Sequence, residues 1–121
     1  MIQIRQNQIE AMDKMMLDKE VTELSARLAE EHPVAVGRAC PEPEQRENFV
    51  RTGYQEAFEC GVRGKENVYL FVEARLLLGP RFHEDRCQLP ELVQLLRDGK
   101  VSEATKADAI SEKLAMREVF G

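Results

Sequence analysis

The spacing of hydrophobic and polar residues predicts helices along the whole chain. Apolar residues recur every three or four positions, and the strict alternation of a half-buried strand is missing. We therefore expect an all-α, single-domain bundle over residues 1–121, wrapped around one buried central helix. Its five helices are expected at about residues 6–31, 44–60, 65–78, 91–97 and 102–119.

The first of these helices carries two adjacent rows of apolar residues. At about 100° per residue, the two rows lie side by side and form one broad stripe. We expect its methionines to fill the core; the alternative is an adhesive interaction surface, because methionine adapts to many partner shapes. The rows are Ile9, Met12 and Met16, and then Leu17, Val21, Leu24 and Leu28.

The dipeptide His32-Pro33 is expected to end the first helix. The residue before a proline is pushed out of the α region, so the helix stops there. Residues 33–43 should then form a loop, because the Pro-Glu-Pro at its end cannot continue a helix. Cys40 lies in this loop, and we expect its thiol to be exposed and chemically inert.

The helix at about 65–78 is the most apolar of the five and should be the most buried. We expect Phe71 and Leu78 deep inside. In the preceding helix, Gly53 and Ala57 are small residues four positions apart, which favours a close crossing with another helix.

Glycine, proline and serine mark the remaining helix ends. Gly61 suits the position that ends the second helix, and Gly64 the N-cap of the third. Pro90 fits the first position of the fourth helix, and Ser102 can cap the last. Because alanine and charged residues dominate that last helix, we expect it to lie on the surface.

Composition restricts the class of protein. Hydrophobic residues make up 43% and charged residues 32%, which indicates a folded domain. A net charge of −5 argues against nucleic-acid binding, because that binding depends on neutralising phosphates. No signal peptide and no apolar run of about 20 residues is present, so we expect a cytoplasmic protein without membrane contact. Three cysteines, an odd number, fit a reducing compartment.

The segment His83-Glu84-Asp85-Arg86-Cys87 is the best candidate for chemistry. It offers an imidazole, two carboxylates and a thiol within five residues. Zinc needs three or four ligands, however, and no Cys-x-x-Cys pair supplies the rest. We therefore expect a polar loop between helices here, and no metal site.

Other reactive side chains are better explained by structural roles. Glu73 is expected to be a structural acid paired with Arg51 or Arg75, although a buried carboxyl could also transfer protons. His32 suits a helix end, and Cys60 should pack as a small hydrophobe. No serine stands in a Gly-x-Ser-x-Gly elbow. We predict no catalytic residue, no metal and no cofactor, and a protein that is not an enzyme.

Several short motifs are spread along the chain: Ile4-Arg5-Gln6-Asn7-Gln8, Gly61-Val62, Leu78-Gly79-Pro80-Arg81-Phe82, Asp85 and Leu89-Pro90. With these motifs the chain, up to about Leu96, resembles a group of small uncharacterised bacterial helical proteins. These are often encoded beside type VI secretion spike proteins and polymorphic toxins. The chain departs from the usual pattern at Cys60, where tyrosine is common, and at Glu91, where an aromatic residue is common.

The resemblance implies an accessory role in a bacterial secretion or toxin system. We expect a non-enzymatic protein that binds an effector, a toxin or a spike component, as an effector chaperone or adaptor. An immunity protein is a close alternative, since an acidic surface can steer association with a basic toxin. Two further alternatives are a small metal-binding or enzymatic domain using residues 83–87, and a homo-oligomer formed through the methionine-rich first helix.

Overall fold

Residues 14–85 and 88–120 are described by the computed structural model of the chain. Within them the backbone forms six α-helices and one short 3-10 helix, with no strand, which confirms the predicted all-α class. Contacts divide the chain into two compact units, Met1–Glu59 and Cys60–Gly121. The expectation of one domain over residues 1–121 stays a prediction.

The N-terminal unit is built on one long helix that packs against two others. Its helices are α1 (Lys14–Glu31), α2 (Pro33–Ala39) and α3 (Pro43–Glu59). Two polar contacts join α1 to α3. The Tyr54 hydroxyl donates to the Glu20 carboxylate at 2.5 Å, and the Arg51 guanidinium lies 2.9 Å from the Asp18 carboxylate. Desolvation and then the bond to Glu20 raise the pKa of Tyr54, so this hydroxyl stays a donor.

The described members of the two predicted apolar rows of α1 differ in burial. Val21, Leu24 and Leu28 are at most 1% exposed, as expected. Met16 is 56% exposed, so its assignment to the core is wrong. It lies about 120° around the helix from Leu28, outside the stripe that one face can bury. Ile9 and Met12 fall outside the described residues.

The segment predicted as a loop after α1 is largely helical. Pro33 occupies the first turn of α2, where a missing N–H costs no hydrogen bond and the fixed φ suits a helix. The same proline therefore ends α1 and begins α2. Cys40 is only 2% exposed, which contradicts its expected exposure. Burial raises the pKa of the Cys40 thiol, although the charge of Arg46 partly opposes the shift.

The C-terminal unit contains the most buried helix among the described residues. Its elements are α4 (Lys65–Leu77), a 3-10 helix (Phe82–Glu84), α5 (Pro90–Arg97) and α6 (Glu103–Phe120). Helix α4 packs against α6, and α5 packs against both α6 and the 3-10 helix. Phe71 is fully buried, as predicted, whereas Leu78 is only half-buried. In the other unit, Gly53 and Ala57 of α3 are both buried.

The predicted helix ends are mostly confirmed. Gly61 has φ +81°, the left-handed conformation that closes a helix, and Gly64 is the extended N-cap of α4. Pro90 stands in the first turn of α5. The Ser102 hydroxyl accepts a hydrogen bond from the backbone N–H of Thr105 at 3.2 Å, which caps α6.

Helix α6 is mostly exposed, as its composition predicts, but it also has a buried face. Ala107 and Ile110 are buried against the rest of the unit, and so is Lys106. The Lys106 ammonium donates to the backbone carbonyl of Cys60 at 2.7 Å. A buried lysine is tolerated here because a carbonyl oxygen at the end of a helical segment is a good acceptor.

Glu103 fixes the turn that leads into α4. Its carboxylate accepts hydrogen bonds from the backbone N–H groups of Arg63 and Gly64, at 3.1 and 2.9 Å, and from the Asn67 amide at 2.6 Å. Desolvation opposes ionisation, but the bonds from Asn67, Gly64 and Arg63 together outweigh it and lower the pKa of Glu103. Charge-assisted hydrogen bonds to Glu103 therefore join the start of α6 to the start of α4.

The substitution Glu103→Gln should destabilise the fold by about 1–3 kcal/mol at neutral pH, because glutamine keeps one acceptor oxygen and its amide N–H₂ must face at least one of the three donors. The folded pKa lies below the ordinary value of 4.5, so the stabilisation is complete above that value. It is lost as the pH falls through the lowered pKa. Urea unfolding from pH 3 to 8 should show the gap to wild type closing in acid. The control Glu112→Gln, on an exposed part of α6, should open no gap; an equal gap there would contradict this role for Glu103.

Candidate protein-binding surface

The predicted polar loop at residues 83–87 is not polar throughout. His83 is only 5% exposed and packs at an angle against two aromatic rings, with centroids 5.5 Å from both Phe71 and Phe82. Phe71 and Phe82 lie edge to face at 4.9 Å. The short 3-10 helix turns His83 inward beside Phe82, so the prediction of a polar loop is wrong at His83. Its imidazole completes an aromatic cluster of the core.

The other members of that segment have local roles. Glu84 is exposed and pairs with Arg81 at 3.0 Å, and the hydrogen bond from Arg81 is the main reason that the pKa of Glu84 is lowered. The Asp85 carboxylate accepts from the backbone N–H of Gln88 at 3.1 Å, which shapes the turn before α5. Within the described part of the chain, the segment brings no three metal-ligand atoms together. Cys87 lies outside the described residues.

The remaining singled-out residues are distributed over both units, and each is described within its own unit. Glu73 is half-buried on α4, while Arg51, one of its expected partners, pairs with Asp18 inside the N-terminal unit. His32 is half-buried between α1 and α2. Cys60 is half-buried, and its backbone carbonyl holds Lys106. Within either unit, the described contacts join none of them in a nucleophile–base pair.

Two open grooves lie on the C-terminal unit. One, of about 460 Å³, runs along α5, and the other, of about 510 Å³, follows the turn from Leu78 to Asp85. Both mix apolar and charged side chains, and their described linings include no histidine, cysteine or serine. Nothing in their linings converges on one kind of ligand. The first is lined by Pro90, Val93, Gln94, Arg97 and Asp98.

The clearest unexplained feature is a pair of exposed methionines on α1. Met15 is 80% exposed and Met16 56% exposed. Both lie on the side of α1 away from the buried row that contains Leu28. Neighbouring large apolar side chains in solvent are a feature of interaction surfaces, and methionine is overused at surfaces that accept varied partners.

The charge of the chain is concentrated in the same unit. Residues 1–59 hold 12 acidic and 7 basic residues, whereas residues 60–121 hold 10 of each. Among exposed side chains, the N-terminal unit presents six acids and two bases from residue 15 onward. The described exposed side chains of the C-terminal unit include six of each sign. The whole net charge of −5 therefore belongs to the unit that carries the exposed methionines.

The pattern of α1 predicts that its methionines fill the core, with an interaction surface as the alternative. Met15 belongs to neither apolar row, and its distance from the buried row around the helix was a usable signal. The uneven division of charge between the two halves was another, because it can be counted directly. What the sequence did not specify was how narrow the buried stripe of α1 is.

Comparisons with known proteins do not extend these observations. No family model, no curated protein and no solved structure matches the chain. Among the helices of residues 14–85 and 88–120, none has the combined length and apolar character that crossing a membrane requires.

The aromatic cluster predicts that His83→Ala destabilises the protein by about 1–3 kcal/mol, because it removes two ring contacts and leaves a cavity beside Phe71. Urea unfolding of the purified protein is the measurement. The control Glu84→Ala, next along the chain but exposed, should change stability by less than about 0.5 kcal/mol. A harmless His83→Ala variant, or one that releases bound zinc, would show that His83 is not a packing residue.

Proposed function

We propose that the protein is a non-enzymatic protein-binding factor that serves a bacterial secretion or toxin system as an effector chaperone or adaptor, in the cytoplasm. The observation that carries the proposal is the exposure of Met15 and Met16 on an acidic helical unit. A folded protein gains nothing for its own stability from two large apolar side chains in water. A partner that covers them removes their apolar surface from water, which stabilises the complex.

Charge supports a protein partner with a basic surface. Opposite charges accelerate encounter and disfavour unsuitable partners, even where they add little to affinity. The N-terminal unit, with six exposed acids against two exposed bases, is suited to that role. The same argument disfavours self-association through α1, because a second copy would bring two acidic units together.

The resemblance to proteins encoded beside secretion and toxin genes supplies the biological setting of the proposal. An immunity protein is the close variant, since a basic toxin would meet the same acidic surface. A metal-binding or enzymatic domain built on residues 83–87 has less support, because His83 packs against Phe71 and Phe82.

Copurification from the native host tests the proposal. The tagged full-length chain should retain a specific protein at low salt and release it at high salt, because screening weakens the electrostatic part of the contact. Deletion of the gene should lower secretion of that protein if the chain is a chaperone or adaptor. Deletion should instead make cells sensitive to it if the chain is an immunity protein. No retained protein, with growth and secretion unchanged on deletion, would contradict both.

A further inference from the structure

We propose that the turn at residues 60–64 opens on its own, while the helices around it stay folded, and that two charged side chains of α6 control this opening. The connecting turn is defined as residues 60–64, and the α6 clamp as Glu103 and Lys106. The turn is the first segment of the C-terminal unit, so the chain enters that unit through it. The proposed opening is independent of the proposed function, because it concerns the fold and names no partner.

The connecting turn has few anchors of its own. None of its five residues is helical, and Val62 is the buried one among them. Outside the helices, the described backbone hydrogen bonds include one to the turn, from the Val68 N–H to the Gly64 carbonyl at 2.8 Å. Segments with few buried apolar side chains and few backbone bonds open at a lower free energy than packed helices do. The contacts with α6 therefore decide how often this turn opens.

The α6 clamp contacts both ends of the connecting turn. At the first end, the Lys106 ammonium donates to the Cys60 carbonyl at 2.7 Å, and Lys106 is only 4% exposed. At the other end, the Glu103 carboxylate accepts from the backbone N–H groups of Arg63 and Gly64, at 3.1 and 2.9 Å. Hydrogen bonds with one charged partner are roughly twice as strong as neutral ones. The clamp therefore supplies the strong bonds that the turn lacks within itself.

The glycines of the turn lie where the clamp side chains come close. A Cβ on Gly64 would lie 2.9 Å from a carboxylate oxygen of Glu103. Gly64 has φ −65° and ψ 139°, which any residue adopts, so the clamp rather than the backbone favours glycine there. Gly61 has φ +81°, and a Cβ on it would lie 3.3 Å from the Lys106 nitrogen. Alanine at position 64 should therefore displace the flexible Glu103 carboxylate without straining the backbone.

Native-state proteolysis measures the opening. When a folded chain opens and closes rapidly, a protease cleaves it at a rate set by the population of the opened form. Trypsin can cut after Arg63, which is exposed in the connecting turn, and after Arg75, which is buried in α4. The readout is the initial cleavage rate at each site in the full-length chain, divided by the rate for the same bond in a short peptide. In wild type, the normalised rate at Arg63 should exceed that at Arg75 by about tenfold or more, because opening the turn leaves α4 folded.

Loosening the clamp should raise cleavage at Arg63. Glu103→Gln, Lys106→Met and Gly64→Ala should each raise the normalised rate there by about tenfold, since hydrogen bonds to charged groups are the stronger ones. Glu103→Asp, whose side chain is one methylene shorter, should raise it less, and it keeps the test available if the glutamine variant does not fold.

Two controls make the same charge changes further along α6. Glu112→Gln and Lys113→Met should leave the normalised rate at Arg63 within about twofold of wild type, because neither side chain belongs to the clamp. Controls that accelerate cleavage at Arg63 as much as the clamp variants would overturn the proposal, since the charge of α6 and not its contacts would then govern the turn.

Ile110→Val separates opening of the turn from unfolding of the unit. It reduces the buried face of α6 without touching the clamp, so it lowers the stability of the folded unit by itself. Cleavage at Arg75 should accelerate, whereas cleavage at Arg63 should stay within about twofold of wild type. Equal acceleration at both arginines would overturn the proposal, because the turn would then open only when the unit unfolds. Clamp variants that leave cleavage at Arg63 unchanged would overturn it too.

Discussion

The geometry of α1 is the constraint on which the account of this protein depends. A helix that packs on one side buries a stripe of limited width, and in α1 that stripe holds Val21, Leu24 and Leu28. Every other large apolar residue of the helix must lie at the stripe's edge or in water. Met15 and Met16 lie in water, so the packing that makes the N-terminal unit fold also leaves an apolar surface available.

The C-terminal unit leaves less apolar surface in water: among its described large apolar side chains, Met116 is the exposed one. Phe71 is fully buried, and Phe82 and His83 close around its ring. Glu103 and Lys106 anchor the start of α6 to the turn before α4, through backbone groups that would otherwise lack helical partners. Its charges balance, ten acids against ten bases. Stability therefore explains the features of this unit, whereas it does not explain the acidity and exposed methionines of the other.

The local patterns predicted the helices well because they depend on neighbours in sequence. The row of Leu24 and Leu28, the turn at Gly61 and the cap at Ser102 were all visible in the sequence. The failures involve distant partners or ambiguous signals. Lys106 is buried and donates to a carbonyl 46 positions earlier in the chain, a partner that its sequence neighbours do not indicate. A proline can end one helix and begin the next, and at Pro33 only the end of α1 was predicted.

The candidate surface was harder to predict than the fold, because apolar residues have the same periodicity whether a core or a partner covers them. His83 is the reverse case. Its segment is polar in sequence and was predicted to be a polar loop, but the imidazole lies in the core beside the ring of Phe82. Neither an apolar periodic pattern nor a polar segment therefore decides by itself which side chains are buried; the width of each buried face must also be known.

The central claim is that the methionines of α1 lie outside the core and are available to a partner. The most direct measurement is the urea unfolding free energy of the Met15→Ser/Met16→Ser variant, beside Leu28→Ala in the buried row of the same helix. The account predicts a change below about 0.5 kcal/mol for the methionine variant and a loss of about 2–5 kcal/mol for Leu28→Ala. A loss of about 2 kcal/mol or more in the methionine variant would contradict it, because the two side chains would then belong to the protein's own core.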